Sequence, residues 1–333
     1  MQLPNLQQIE AAQKIVYAAM PPTPQYSWPL LNQRLGAEVW VKHENHSPVG
    51  AFKLRGALVY ATWLKETQPG IETLVAATRG NHGQGVGMAA RLLGLRAIIV
   101  VPRGNSKEKN LAMLAQGVEL IEHGADFQAS LEYARELAGQ AEQAGQGAKF
   151  AFVESIHPNL VLGTATYALE FFRGAPPLQT VYVPVGMGSS ICGVSAVRNA
   201  LGLSTEIVGV VAADAPAQAA SFRERRVVEA PALTQIADGL ACRLPNQEAS
   251  QLIWENVARF VEVSEAEIAA AMRFYFQDTH NVAEGAAAAA LAAAIQEKHA
   301  AIHPGAGKGR IGLILTGGNV DRDVYSHVLQ EVL

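Results

Sequence analysis

Val181-Tyr-Val-Pro-Val-Gly-Met-Gly-Ser-Ser-Ile-Cys-Gly193 is the stretch on which the fold turns. An apolar run ends at Val185, two glycines follow within three residues, and a helical pattern begins near Ser190. Gly186 and Gly188 permit positive φ and close backbone approach. The amides of Gly186, Met187, Gly188, Ser189 and Ser190 can converge on an anion at the positive end of a helix dipole, an arrangement that suits a phosphate. The dinucleotide pattern G-x-G-x-x-G fails, because the third glycine is Gly193, and no G-x-x-x-x-G-K-[ST] exists. From these residues alone, a tight strand–helix connection with no ligand is the alternative.

The same alternation extends outward in both directions. Ala37–Lys42, Thr73–Ala77, Arg96–Val101, Val118–Ile121, Thr180–Pro184, Glu206–Ala212 and Ile311–Thr316 read as strands. Gly83–Leu93, Ser106–Ala115, Phe127–Ala144, Asn159–Phe172, Ser190–Leu201 and Ser264–Gln277 read as helices. This alternation predicts an α/β fold of mostly parallel sheets with helices on both faces. Ligands in such folds bind outside the carboxyl ends of the strands. At roughly 100–200 residues per domain, 333 residues predict about two domains. His46–Gly50 and the polar Ala141–Lys149 are the candidate junctions.

Two more strands run into glycine turns. Ala76-Ala-Thr-Arg-Gly-Asn-His-Gly-Gln-Gly85 offers amides near a helix start, with Asn81 and His82 as polar side chains. Arg79 opposes the helix dipole there and calls for an anionic partner, either a ligand or a neighbouring carboxylate. Ile311-Gly-Leu-Ile-Leu-Thr-Gly-Gly-Asn-Val-Asp321 delivers Thr316, whose hydroxyl can cap a helix or meet a ligand. Lys53 sits amid Val49, Ala51, Phe52 and Leu54. Such a lysine either snorkels outward or, if buried, becomes a nucleophilic amine of depressed pKa. His43 and His46 lack a metalloprotease spacing and read as polar loop residues; no G-x-S-x-G elbow exists.

Composition excludes several classes. With 49% hydrophobic and 17% charged residues the chain is globular. A net charge of −4 argues against nucleic acid or an anionic membrane as the main partner. Two cysteines support neither a disulfide framework nor a zinc site. The N-terminus has no signal-peptide pattern, and no run of 18 apolar residues exists, so a cytoplasmic protein is expected. The alanine run Ala286–Ala294 reads as a tightly packed helix.

Taken together the motifs closely resemble the fold-type II pyridoxal-phosphate enzymes (the tryptophan synthase β-like fold), in the threonine/serine dehydratase and serine racemase branch. The resemblance is collinear over nearly the whole chain. Thr23-Pro24, Lys42-x-Glu44 and Gly50-Ala-Phe-Lys-Leu-Arg-Gly-Ala57 look like its early segments and Schiff-base lysine. Gly80-Asn-His-Gly-Gln84 looks like its asparagine loop, and Gly186–Ser190 stands where its phosphate loop stands. Ala237-Asp-Gly-Leu-Ala241, Glu284-Gly285 and Thr316-Gly-Gly-Asn319 complete the series.

The resemblance implies pyridoxal 5'-phosphate as cofactor and Lys53 as both its covalent anchor and the base at Cα. It implies Phe52, Asn81, Gly186, Met187, Gly188, Ser189, Ser190, Gly239, Glu284 and Thr316 as further cofactor contacts. Thr78, Arg79, Gly80, Asn81 and His82 would meet the substrate. The implied reaction is β-elimination of water from threonine, serine or a bulkier β-hydroxy amino acid such as phenylserine, giving a 2-oxo acid and ammonia. A 3-hydroxyaspartate dehydratase, an amino-acid racemase or a non-catalytic cofactor-binding protein are the alternatives. Residues 1–50 and 151–333 would form a large domain, with 51–150 inserted as a small one. A homodimer or higher homo-oligomer is implied.

Several positions depart from the family pattern. Arg79 stands where a serine or alanine is usual, and an arginine cannot readily serve as the second base of a racemase. Met187, Ser189 and Ser190 replace commoner glycines, and Ala51 a common serine. Val211 and Ala217 appear where the divalent-metal branch carries acidic residues, so no metal is expected. His157-Pro-Asn-Leu160 lacks the acidic pair that often follows. The chain ends soon after the Thr316 turn, which leaves no regulatory domain and implies no control by isoleucine.

Overall fold

The computed structural model describes residues 1–141, 149–300 and 309–331. Its strands are β1 (Gln25–Ser27), β2 (Glu38–His43), β3 (Thr73–Ala77), β4 (Arg96–Val101), β5 (Glu119–Glu122), β6 (Phe150–Phe152), β7 (Thr180–Pro184), β8 (Glu206–Ala212), β9 (Arg259–Val263) and β10 (Arg310–Leu315). The helices up to the middle of the chain are α1 (Leu6–Tyr17), α2 (Pro29–Leu35), α3 (Lys53–Thr67), α4 (Asn81–Leu92), α5 (Lys107–Leu114), α6 (Phe127–Ala141) and α7 (Pro158–Gly174). Those after it are α8 (Ser189–Ala200), α9 (Ala217–Glu224), α10 (Gln247–Asn256), α11 (Glu265–Thr279), α12 (Gly285–Ala300) and α13 (Arg322–Leu329).

The strands form two sheets, a six-stranded one in the order β1-β2-β10-β7-β8-β9 and a four-stranded one in the order β5-β4-β3-β6. Every pairing is parallel except β1 with β2. This is the expected α/β fold with two parallel-sheet domains. The four-stranded sheet reaches Phe152, because β6 pairs with β3. Most of the proposed junction Ala141–Lys149, and the last residues of the helix expected to run to Ala144, lie outside the described residues.

Parallel strands buried on both faces need near-continuous apolar runs. β3 (Thr-Leu-Val-Ala-Ala) is buried at all five positions, β8 and β10 expose only their first residues, and β7 is buried after a half-buried Thr180. The alanine helix α12 packs between elements of the larger sheet, buried from Gly285 through Ala294. A helix surrounded on all sides needs small side chains to approach its neighbours. No helix among the described residues is long and apolar enough to cross a membrane.

Helices α3, α7 and α8 meet backbone to backbone. A Cβ at Gly163 on α7 would come within 2.3 Å of Arg55 O on α3. One at Gly56 would meet Leu160 O at 2.8 Å, and one at Gly193 on α8 would meet Ala165 N at 2.9 Å. These three helices carry the lysine segment and the glycine turn after β7, so their contact sets how far apart the two lie.

Candidate active site

A cavity of about 150 Å³ opens at the carboxyl ends of strands from both sheets. Every residue expected to meet the cofactor or the substrate lines it: Phe52 and Lys53, Thr78 through His82, Gly186 through Ser190, Gly239, Glu284 and Thr316. Residues up to 264 positions apart thus share one wall, as parallel topology demands of loops leaving the same sheet edge.

Lys53 is the first residue of α3. Its segment is stitched to the turn after β10: Phe52 N–H donates to Thr316 O at 3.0 Å, and Gly318 N–H to Gly50 O at 2.9 Å. Asn319 Nδ2 adds a bond to Val49 O at 2.8 Å. Two residues on, Arg55 is wholly buried and bound to Glu44 and Glu170, with Nε to Glu44 Oε2 at 2.7 Å and a terminal nitrogen to Glu170 Oε1 at 2.6 Å. Lys42 completes this buried cluster at 2.5 Å from Glu170. Two cations and two carboxylates leave no net charge uncompensated, the condition for ions to persist in a core. Burial lowers the Lys53 amine to about 8, against a weaker upward pull from Glu284. Its Nζ lies 4.8 Å from the Phe52 ring centre and 3.5 Å from Ser189 Oγ.

The glycine turn after β7 departs from expectation in one detail. Only Gly188 has positive φ, at 101°. Gly186 is needed for closeness instead, since a Cβ there would lie 2.5 Å from Gly239 O. The turn is braced from outside by Gln218 Nε2, which donates to Gly186 O at 2.9 Å. Tyr167 Oη sits 2.6 Å from Ser190 Oγ. The first turn of α8 has N–H groups without intrahelical acceptors, and they sit at its positive end.

Helix α4 begins at Asn81, two residues before the position read from the sequence, so Asn81 and His82 stand on its first turn. Asn81 Nδ2 donates to Glu284 Oε1 at 2.7 Å, and its Oδ1 accepts from Asn319 at 2.8 Å. Glu284 is buried, and its carboxyl is pushed up to about 7, by burial first, with Lys109 pulling it down and Asp238 pushing it up. Arg79 is exposed at the cavity rim, and no ion pair or hydrogen bond to its side chain is formed among the described residues.

Sequence reasoning missed Lys109 and Asp238, which both line the cavity. Lys109 is buried, with Nζ 2.6 Å from Asp238 Oδ2 and 3.9 Å from Glu284 Oε2. A Lys-Glu-Lys-Asn helix start reads as solvated surface, so no local signal marked it. No group of metal-ligating side chains gathers at His43 and His46 among the described residues: His43 is buried and accepts a bond from Trp28 Nε1 at 3.0 Å, and His46 Nε2 meets Asn281 Oδ1 at 2.7 Å.

The arrangement fits a phosphorylated aldehyde. An amine with lowered proton affinity stands beside a glycine turn at a helix N-terminus, where a Cβ on Gly186 would lie 2.5 Å from Gly239 O. The chain matches the family described as pyridoxal-phosphate dependent enzyme over residues 16–317. It belongs to that family.

Within the family it falls in the threonine dehydratase group. It is 30% identical over 330 residues to an L-threonine ammonia-lyase of Thermotoga maritima, covering 99% of this chain and 79% of that one. It is 34% identical over 307 residues to the biosynthetic L-threonine dehydratase of Escherichia coli, covering 92% of this chain and 58% of that one. The structure of processed threonine deaminase isoform 2 from Solanum lycopersicum superposes with a TM-score of 0.87 at 26% identity, over 97% of this chain and 87% of that one. The protein is a pyridoxal-phosphate-dependent enzyme of the ammonia-lyase group.

Proposed function

We propose that this enzyme removes water from a β-hydroxy-α-amino acid and releases a 2-oxo acid and ammonia. The observation that carries this reading is the Lys53 amine, lowered to about 8, in the same cavity as Arg79, which forms no ion pair or hydrogen bond among the described residues. The similar chains named threonine ammonia-lyase and threonine dehydratase support it.

Pyridoxal phosphate, when bound, supplies the sink for the electrons of the Cα–H bond. The amides of Gly186–Ser190 would hold its phosphate, Phe52 would pack beside its ring, and Asn81 would meet its ring hydroxyl. Gly239 and Glu284 would be further contacts. Thr316 would offer a neutral hydroxyl to the ring nitrogen. Unlike a carboxylate it does not enforce protonation there, which suits prompt loss of a β-leaving group. Lys53 would anchor the cofactor and would serve as the base that takes the α-proton. Near neutral pH an amine of pKa about 8 is available in both protonation states.

Thr78, Gly80 and His82 bound the substrate side with Asn81. Arg79 clamps a carboxylate bidentately. That group is either the α-carboxylate or the distal carboxylate of 3-hydroxyaspartate; threonine, serine and phenylserine offer only the first. Stereoisomers of these four amino acids, scored by oxo-acid release, test the reading. L-serine giving D-serine without pyruvate would replace it with racemisation, which a permanently charged Arg79 disfavours. An absorbance band near ~410–430 nm that vanishes in Lys53→Ala separates an anchored cofactor from loose binding; its persistence would move the linkage elsewhere. The same reading places residues 51–150 as an inserted domain, and the enzyme as a cytoplasmic homodimer or higher homo-oligomer, which sedimentation checks.

A further inference from the structure

A second cavity, of about 10 Å³, is bounded by Lys53, His82, Ser155, Thr164 and Ser189. That is the room a single water needs. Its polar lining is incompletely used. His82 Nε2 is buried with no hydrogen-bond partner among the described residues. Burial, then the Lys53 charge, push the imidazole down to about 3. The ring is therefore neutral, and one of its two nitrogens carries a lone pair. Thr164 Oγ1 donates to Leu160 O at 2.8 Å and keeps its own lone pairs. Among the described residues Lys53 Nζ reaches only Ser189 Oγ, at the limiting distance of 3.5 Å.

A lysine acting as base must become an ammonium, and a buried ammonium needs acceptors. We propose that this cavity holds one water, which accepts a hydrogen bond from Lys53 Nζ and donates to His82 Nε2 and to a lining hydroxyl. The inference rests on the reading of Lys53 as the base. His82 is then a positioning residue: it acts on Lys53 through the water and touches no reacting atom. Three bonds satisfy the water, the orphaned imidazole nitrogen and the amine together. The other charged groups facing Lys53 across the main pocket are Arg79, Lys109, Asp238 and Glu284. Among them Glu284 is the one that raises its proton affinity.

The test uses the full-length chain. A crystal structure at atomic resolution shows whether density for one water lies within about 3 Å of His82 Nε2. Imidazole ¹⁵N NMR shows which nitrogen bears the proton. In the cofactor-free chain, the Lys53 ¹³Cε shift followed against pH gives the amine pKa. His82→Leu is expected to empty the site and move that pKa down by about 1–2 pH units, the size of one hydrogen bond to a charge. His82→Gln, which keeps an acceptor, is expected to move it by less than half as much. A dry cavity in the unaltered protein, a proton on Nε2, or an unmoved pKa in His82→Leu overturns the proposal. The first two readouts need no variant, so a misfolded His82→Leu leaves the proposal exposed. None of them depends on turnover. A water with no oxo-acid release would sink the proposed reaction alone, and oxo-acid release over a dry cavity would sink the water alone.

Discussion

Lys109 Nζ lies 2.6 Å from Asp238 Oδ2, joining α5 beside the smaller sheet to the 238–240 turn of the larger unit across the pocket. The stem of Lys109 also fills the space over Gly80, where a Cβ would come within 2.5 Å of its Cδ. Two further bonds follow the same line. Ser106 donates to Asp321, and Arg322 N–H donates to Glu108 Oε1 at 3.1 Å.

Lys109→Met removes the cation of a largely buried pair and leaves Asp238 and Glu284 facing each other. The lysine is 9% and the aspartate 26% exposed, so water screens part of the loss. A destabilisation of about 1–3 kcal/mol in urea unfolding is expected. A loss below about 0.5 kcal/mol would make the pair a surface ornament.

Arg79→Ala is expected to lower kcat/KM by about 100-fold or more, the effect of losing a charged clamp on the substrate. A change below about threefold would send Arg79 back to the solvent. Comparing threonine with 3-hydroxyaspartate in this variant locates the carboxylate. An equal loss on both means the α-carboxylate, whereas a loss confined to 3-hydroxyaspartate means the distal one.

Glu284 gives the stability a pH dependence of known sign. Its carboxyl, ordinarily near 4.5, is pushed up to about 7 in the folded chain, chiefly by burial. Between these values the folded state binds the extra proton, so the stability from this group is full below about 4.5 and is lost as pH rises through about 7. Glu284→Gln should remove that part of the fall. Unfolding free energies of both proteins at pH 5 and pH 8 measure it, and parallel profiles would contradict it.

Gly163→Ala places a methyl 2.3 Å from Arg55 O, where the obstacle is backbone. Overpacking of this kind costs about 1–3 kcal/mol, and more where the neighbour is rigid. The helices must part, so cofactor affinity should fall together with the melting temperature. A variant that melts normally and binds normally would show that the contact has slack.

Much of this site was legible because strand ends and glycine turns carry their geometry locally. Thr73–Ala77 and Thr180–Pro184 are strands with the bounds the apolar runs predict, and the turns that follow them line the pocket. Weaker elements escaped. β1 has three residues with a half-exposed pattern, β6 is a three-residue Phe-Ala-Phe, and β9 buries only Val261 and Val263. None holds a long enough apolar run to stand out. Lys109, Asp238, Tyr167 and Gln218 escaped for another reason. Each acts through a partner between 23 and 129 positions away, and that distance closes only in the folded chain. Gly186 was read for freedom and for close backbone approach, and only the second applies: the Gly239 carbonyl that crowds it is 53 positions downstream.

The peptide-to-peptide contact of α3, α7 and α8 has a consequence for how such a protein can diverge. Side chains can be trimmed, swapped or rotated to widen a gap, but peptide groups in contact cannot. The span between the Lys53 amine and the turn at Gly186–Ser190 is therefore a fixed gauge, cut once for one cofactor. Whatever changes the substrate must work on the opposite wall, at residues 78–82 and at Lys109, which line the opening. A library built to alter specificity should randomise those positions and leave Gly56, Gly163 and Gly193 untouched.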